Sequence, residues 1–188
     1  MKICTALSFL FAVLPLAAQD MPKPSAEHQK LAASAGTWDA VMSMAGEDGK
    51  AMQSKGVSVV KLACGGFWLF DDFSLPDFMG GPFSGHGVTG YDPAKDKYVG
   101  TWVDSMTTSI MSIEGSYDKA GKVLTMTGMG TGQDGKPTKN RLVTTWNTAD
   151  SFVFEMFVTG ADGKEASIMT ITYTRRAAKA EDAKAGKK

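Results

Sequence analysis

From Gly36 to Arg175 the chain alternates apolar and polar side chains, and turn residues interrupt it about every eight to twelve positions. The clearest case is residues 151–159, in which every second side chain is large and apolar. Successive side chains of a strand point to opposite faces, so each such segment has one apolar face. The pattern predicts ten consecutive antiparallel strands with almost no helix, which is typical of a β-sandwich or of a barrel closed without edges.

The amino terminus has the features of a secretory signal peptide. Lys2 precedes an apolar run at residues 3–14, and small residues end at Ala18. The run is too short to span a bilayer, although a retained membrane anchor is the alternative. We therefore predict a signal peptide at 1–18, a tether at 19–24, a single β-barrel domain at 25–176 and a mobile tail at 177–188. The mature protein would be secreted or periplasmic, without membrane insertion after signal cleavage.

Two non-strand segments are predicted within the barrel domain. Ser25 is a suitable N-cap for a short helix at residues 26–34, which could cover one end of a barrel, with His28 on its solvent side. Residues 75–82 contain two prolines and a glycine pair, which predict a loop with Phe78 and Met79 at its tip. Such a loop either closes a cavity mouth or packs on the rim.

Charge and cysteine content exclude several classes of function. The chain has 20 basic and 20 acidic residues, so it lacks the positive charge that nucleic acid or an acidic membrane would require. Without the signal peptide Cys64 is the single cysteine, which excludes an internal disulfide and predicts a small buried apolar residue. Two histidines and one cysteine are too few for a typical zinc site, and we predict neither metal nor cofactor.

The hairpin at residues 90–117 contains the most unusual polar residue. Asp104 shares the parity of Tyr98 and Trp102, so a carboxylate would lie inside the barrel if that parity faces inward. Both parities around Trp102 are apolar, which leaves the orientation open. Asp71 and Asp72 are further acidic residues, at the end of an apolar run.

Several short motifs together resemble a known bacterial family. They are Gly36-Thr37-Trp38, Gly90-Tyr91-Asp92, Trp102-Val103-Asp104-Ser105-Met106, Glu114-Gly115 and Ile171-Thr172-Tyr173-Thr174-Arg175. Over residues 27–176 the chain resembles the bacterial secreted family catalogued as domain of unknown function 1579, and its ends resemble those of calycin (lipocalin-like or fatty-acid-binding-protein-like) barrels. The resemblance implies an up-and-down calycin-like barrel in which Arg175 stacks on Trp38 as a structural contact. It carries no established activity, and no histidine follows His86 to hold a haem as in some calycin relatives.

These observations favour a non-enzymatic barrel that binds a small, largely apolar ligand in its lumen. The predicted ligand-binding residues are Trp68, His86, Trp102, Asp104, Met111, Glu114, Met126, Phe154 and Met156. One alternative is a hydrolase-type enzyme using Asp104 and His86, for which no nucleophile motif is present. Another is a structural or partner-binding envelope protein with a solid core. The sequence makes no prediction of oligomeric state.

Overall fold

The chain forms a closed barrel of ten antiparallel strands in a computed structural model, which describes residues 21–46, 50–132, 135–160 and 162–177. Each strand pairs with its neighbours in sequence, and the first pairs with the last. The predicted all-β, up-and-down barrel with a short N-terminal helix is confirmed, and the sandwich is not formed. In the described ranges no helix is long and apolar enough to cross a membrane.

The elements follow one another with short connections. Their bounds are α1 Ala26–Ala32, β1 Gly36–Ala45, β2 Ala51–Ala63, β3 Trp68–Phe78, β4 Gly81–Asp92, β5 Lys97–Asp104, β6 Met111–Tyr117, β7 Val123–Thr131, β8 Pro137–Thr148, β9 Ser151–Thr159 and β10 Glu165–Arg175. A short 3-10 turn, Cys64–Gly66, lies between β2 and β3. The predicted signal peptide, the first two residues of the tether and residues 178–188 of the predicted tail lie outside the described residues.

Helix α1 covers one end of the barrel, where the core is tightly packed. Trp38 is fully buried and donates its indole N–H to the carbonyl of Ser34 at 2.9 Å. The Arg175 guanidinium lies 4.0 Å from the centre of the Trp38 ring and donates to the carbonyls of Ala33 and Ala35. The predicted contact between Trp38 and Arg175 is therefore confirmed, and it also joins the last strand to the helix-to-strand connection.

The predicted exposure of His28 is wrong. The helix ends at Ala32, shorter than expected, and His28 is only 6% exposed. Its ring meets Phe67 and Tyr91 edge-on, and its Nδ1 accepts the backbone N–H of Ser25 at 3.1 Å. A histidine in the first helical turn is buried here because the helix lies across the barrel end, a packing arrangement that local sequence does not specify.

The predicted loop at residues 75–82 is also wrong, since most of it is strand. β3 continues to Phe78 and β4 begins at Gly81, so only Met79 and Gly80 form the turn, both with positive φ. A register shift between Leu75 and Phe78 accommodates the proline that should have broken the ladder. Phe78 packs against Phe83 while Met79 is exposed.

Cys64 is exposed, against the prediction of a buried apolar residue. It begins the tight 3-10 turn between β2 and β3 and has a φ of 50°. Gly65 and Gly66, which follow it, also have positive φ values, a conformation that glycine adopts readily.

Candidate ligand-binding site

The strand register decides which parity faces the barrel interior. In β5, Trp102 pairs with Gly87 and Asp104 pairs with Gly85. The Trp102 indole lies over both glycines, and a Cβ added at Gly85 would come within 2.2 Å of that ring. Trp102 also contacts Phe73, a core residue that is 3% exposed. The parity of Tyr98, Trp102 and Asp104 therefore faces inward.

The barrel interior contains both buried and partly buried side chains. Next to α1 it holds buried residues such as Leu31, Trp38 and Leu124, together with partly buried rings such as Trp146 and Phe152 that pack against Trp38. Toward the opposite end Leu75 is buried, but several other large apolar side chains that face inward are only partly buried. We call this part the distal half and define it by Met44, Phe83, Trp102, Met111, Met156 and Met169. Flexible methionines and aromatic rings with residual exposure are typical of an adaptable apolar binding surface.

Asp71 is a carboxylate on the inner wall of this barrel. Its neighbours of the same parity, Leu69 and Phe73, are buried. The Ser58 hydroxyl, on the adjacent strand, donates to Asp71 Oδ1 at 2.6 Å, and Ser58 is only 1% exposed. Burial raises the pKa of Asp71 from its ordinary value of 3.8 to about 6, partly offset by the Ser58 hydrogen bond.

Asp71 and Trp102 approach the same glycine on the inner wall. Asp71 pairs with Gly87, which in turn pairs with Trp102. A Cβ at Gly87 would lie 3.3 Å from the Trp102 ring and 3.6 Å from the Asp71 Cβ. The indole and the Asp71 side chain therefore flank the same point of the inner wall. Tyr173, which is buried, has its pKa raised well above 10 by burial and by the charge of Asp71.

Asp104 also faces inward, but protein groups already engage its carboxylate. Oδ2 accepts the indole N–H of Trp102 at 3.0 Å. Oδ1 accepts the backbone N–H groups of Met106 and Thr107, each at 2.9 Å. Asp104 thus closes the turn after β5 and fixes the orientation of the indole, and its role toward a ligand stays a prediction.

The structure brings together six of the nine predicted ligand-binding residues and separates three. The inward set is Trp102, Asp104, Met111, Met126, Phe154 and Met156. Met126 belongs to the buried core and the others are partly exposed. The outward set is Trp68, His86 and Glu114.

Two of the outward residues, His86 and Glu114, have charged partners on the outer wall. His86 Nδ1 lies 2.8 Å from the carboxylate of Asp72. The ammonium groups of Lys97 and Lys95 donate to Glu114 and lower its pKa. Since His86 pairs with the outward Val103 while Asp104 faces the interior, the barrel wall separates the two groups of the hydrolase alternative.

A shallow groove of about 760 Å³ runs over the outer face of strands β4–β7. Its walls include Trp68, whose ring lies against Gly90, together with Val99, Glu114 and Met129. Met129 is more than half exposed. Two predicted lumen residues therefore line the outside of the barrel, and this groove provides a natural control for any test of the interior.

Asp71 and Ser58 were not among the predicted site residues. The sequence does contain a signal, because Asp71 has the parity of Leu69, Phe73 and Leu75 within an apolar strand. That signal could not be used while both faces of the strand were apolar, and only the closed sheet shows which face is the interior.

The comparisons with known proteins agree with this fold. Rv2717c from M. tuberculosis is similar in structure, with a TM-score of 0.62 and 12% sequence identity over 81% of this chain and 99% of that chain. The S-type phycobiliprotein lyase CPES from Guillardia theta has a TM-score of 0.55 and 11% identity, covering 83% of this chain and 100% of that chain. At such low identities the similarity extends to the fold alone. No curated protein matches the sequence significantly.

A sequence-family model also matches the chain. The model described as "Protein of unknown function (DUF1579)" matches residues 23–175, which include α1, all ten strands and the Trp38–Arg175 contact. The match agrees with the resemblance carried by the short motifs. The chain therefore belongs to the DUF1579 family.

Proposed function

We propose that this barrel binds a small, largely apolar ligand in the distal half of its interior, without catalysing a reaction on it. The observation that carries the proposal is the partial exposure of large apolar side chains that face inward, such as Trp102, Met111 and Met156. A barrel interior packed only for stability would leave little residual exposure on side chains of this size. Interiors of this kind suit ligands that are mainly apolar with a few polar groups.

Binding is favoured over catalysis by the arrangement of the ionisable groups. The pair suggested for a hydrolase, Asp104 and His86, lies on opposite faces of the wall. Asp104 is engaged by the indole of Trp102 and by two backbone N–H groups. A general base must reach the proton that it removes, and the two residues have no common point of contact.

The test uses Nile red, a neutral dye that fluoresces in apolar surroundings, with a matched pair of variants. Met156→Trp adds an indole to the distal half, whereas Met129→Trp adds the same group to the outer groove. We expect the wild-type protein to bind the dye, Met156→Trp to weaken binding by at least about tenfold, and Met129→Trp to leave it within about twofold.

The opposite ranking would overturn the proposal. If Met129→Trp abolishes dye binding and Met156→Trp does not, the apolar site is the outer groove. Absence of dye binding to a folded wild-type protein counts against the proposal as well. Native mass spectrometry of protein purified from its own cells provides an independent measurement, since a retained small molecule that is lost in Met156→Trp supports an interior site.

A further inference from the structure

The charges of the inner wall are unevenly distributed. Two carboxylates, Asp71 and Asp104, face inward from the strands. Among the described strand residues, Arg175 is the single lysine or arginine of inward parity, and it is held at the α1 end by Trp38, Asp150 and backbone carbonyls. The interior around Asp71 therefore has negative charge without a cation from the described chain.

One oxygen of Asp71 is free to bind something else. Oδ1 accepts the Ser58 hydroxyl, whereas Oδ2 accepts no hydrogen bond from any described residue. No side-chain oxygen of the described residues is both fully enclosed and unpaired, so Oδ2 is not completely enclosed by the protein. A carboxylate oxygen in this position is poorly solvated and gains strongly from a charged hydrogen-bond donor.

The aromatic surroundings favour the same type of partner. The Trp102 ring and the Asp71 Cβ flank Gly87 on its inner side. Phe73 lies between Trp102 and Tyr173, with ring centroids 6.4 and 6.3 Å away. Aromatic faces attract organic cations, and the same faces also accommodate the hydrocarbon part of such a cation.

We infer that the ligand is a hydrophobic amine, whose protonated nitrogen donates to Asp71 Oδ2 while its hydrocarbon lies against Trp102 and the methionines of the distal half. This inference rests on the proposed function, because it assigns the chemical class of the ligand for the same interior site. No covalent step is involved.

The ionisable groups around Asp71 make amine binding dependent on pH. From β2 the neighbour is Ser58, from β10 it is Tyr173, and on the outer wall Asp72 and His86 act through their charges. Burial raises the pKa of Asp71 to about 6, so the carboxylate is mostly ionised at pH 7.5 and mostly protonated at pH 5. An alkylamine stays protonated over this range, and its advantage over a neutral analogue must therefore fall as the pH falls.

The experiment measures displacement of Nile red by octylamine, octanol and octanoate, which share one hydrocarbon chain. It uses the wild-type protein, Asp71→Asn and the neighbouring control Asp72→Asn, which removes an outward carboxylate. At pH 7.5 we expect octylamine to act at about tenfold lower concentration than octanol, and octanoate to be the weakest. The amine advantage should persist in Asp72→Asn, disappear in Asp71→Asn and shrink at least about threefold in the wild type at pH 5.

The outcomes separate this inference from the proposed function. Equal displacement by all three compounds overturns the amine assignment and leaves an apolar binding site. Failure of every compound to displace bound dye counts against the proposed function itself. If Asp71→Asn does not fold, the pH profile of the wild-type protein decides, because an amine advantage that is the same at pH 5 and pH 7.5 excludes Asp71 as its partner.

Discussion

Replacing Asp71 with asparagine should stabilise the barrel at high pH more than at low pH. The substitution keeps the shape and one acceptor for the Ser58 hydroxyl but removes a charge from the inner wall. Because burial raises the pKa of Asp71 in the folded protein, the folded state binds the proton more tightly than the unfolded chain does. Its contribution to stability is therefore fully present below pH 3.8 and is lost as the pH rises through about 6.

The size of the effect follows from the pKa change. A shift from 3.8 to about 6 is worth about 3 kcal/mol when the carboxylate is fully ionised in both states, since each pKa unit is worth about 1.4 kcal/mol. About half of this loss already occurs by pH 5, where the unfolded chain is mostly ionised. Between pH 5 and pH 8 the free energy of unfolding of the wild type should fall by about 1 to 2 kcal/mol relative to Asp71→Asn.

Urea denaturation at pH 5 and pH 8 measures this difference directly. Carboxylates whose pKa values are lowered by ion pairs, such as Asp39 and Glu165, are present in both proteins and cancel in the comparison. Asp72→Asn serves as the control, because its carboxylate lies on the outer wall beside His86. A stability gap between wild type and Asp71→Asn that does not change with pH would refute the argument that this carboxylate lies in a poorly solvated interior.

Four further substitutions test other parts of the structure. Arg175→Ala should lower the free energy of unfolding, measured by urea denaturation, by about 2 to 3 kcal/mol. The substitution removes the contact with the Trp38 ring and the hydrogen bonds to carbonyl groups at the α1 end. An unchanged midpoint would count against a structural role for Arg175. Gly115→Ala should lower the free energy of unfolding by at least about 2 kcal/mol in the same measurement, because the new Cβ would lie 1.9 Å from the Thr125 carbonyl oxygen. The control Gly81→Ala has open space around it and should change the free energy of unfolding by less than about 1 kcal/mol. Asp104→Ala should shift the NMR resonance of an inward indole N–H that now donates to it, and an unmoved resonance would show that this hydrogen bond is not formed in solution.

The period-two pattern was sufficient to predict the architecture. Ten amphipathic segments joined by short turns can bury their apolar faces and pair their backbone groups by closing into a barrel. The strand predicted for residues 151–159 has the same bounds in the structure. The stacking of Arg175 on Trp38 could be predicted as well, because the resemblance to calycin barrels implies this contact. The prediction failed at Pro76, where a local strand-breaking residue is tolerated because a bulge relieves the ladder.

The candidate site depended on information that the sequence alone does not contain. Where both faces of a strand are apolar, alternation gives two possible interiors. For this reason the sequence predicts Trp68, Glu114 and the inward residue Trp102 in one lumen. Register around the closed barrel resolves the ambiguity, because pairing with Gly87 turns Trp102 and Asp71 inward together. Local alternation of side chains therefore determined that a barrel forms. The register of all ten strands decided which carboxylate lies inside it, because inward orientation is a property of the closed sheet and not of any single strand.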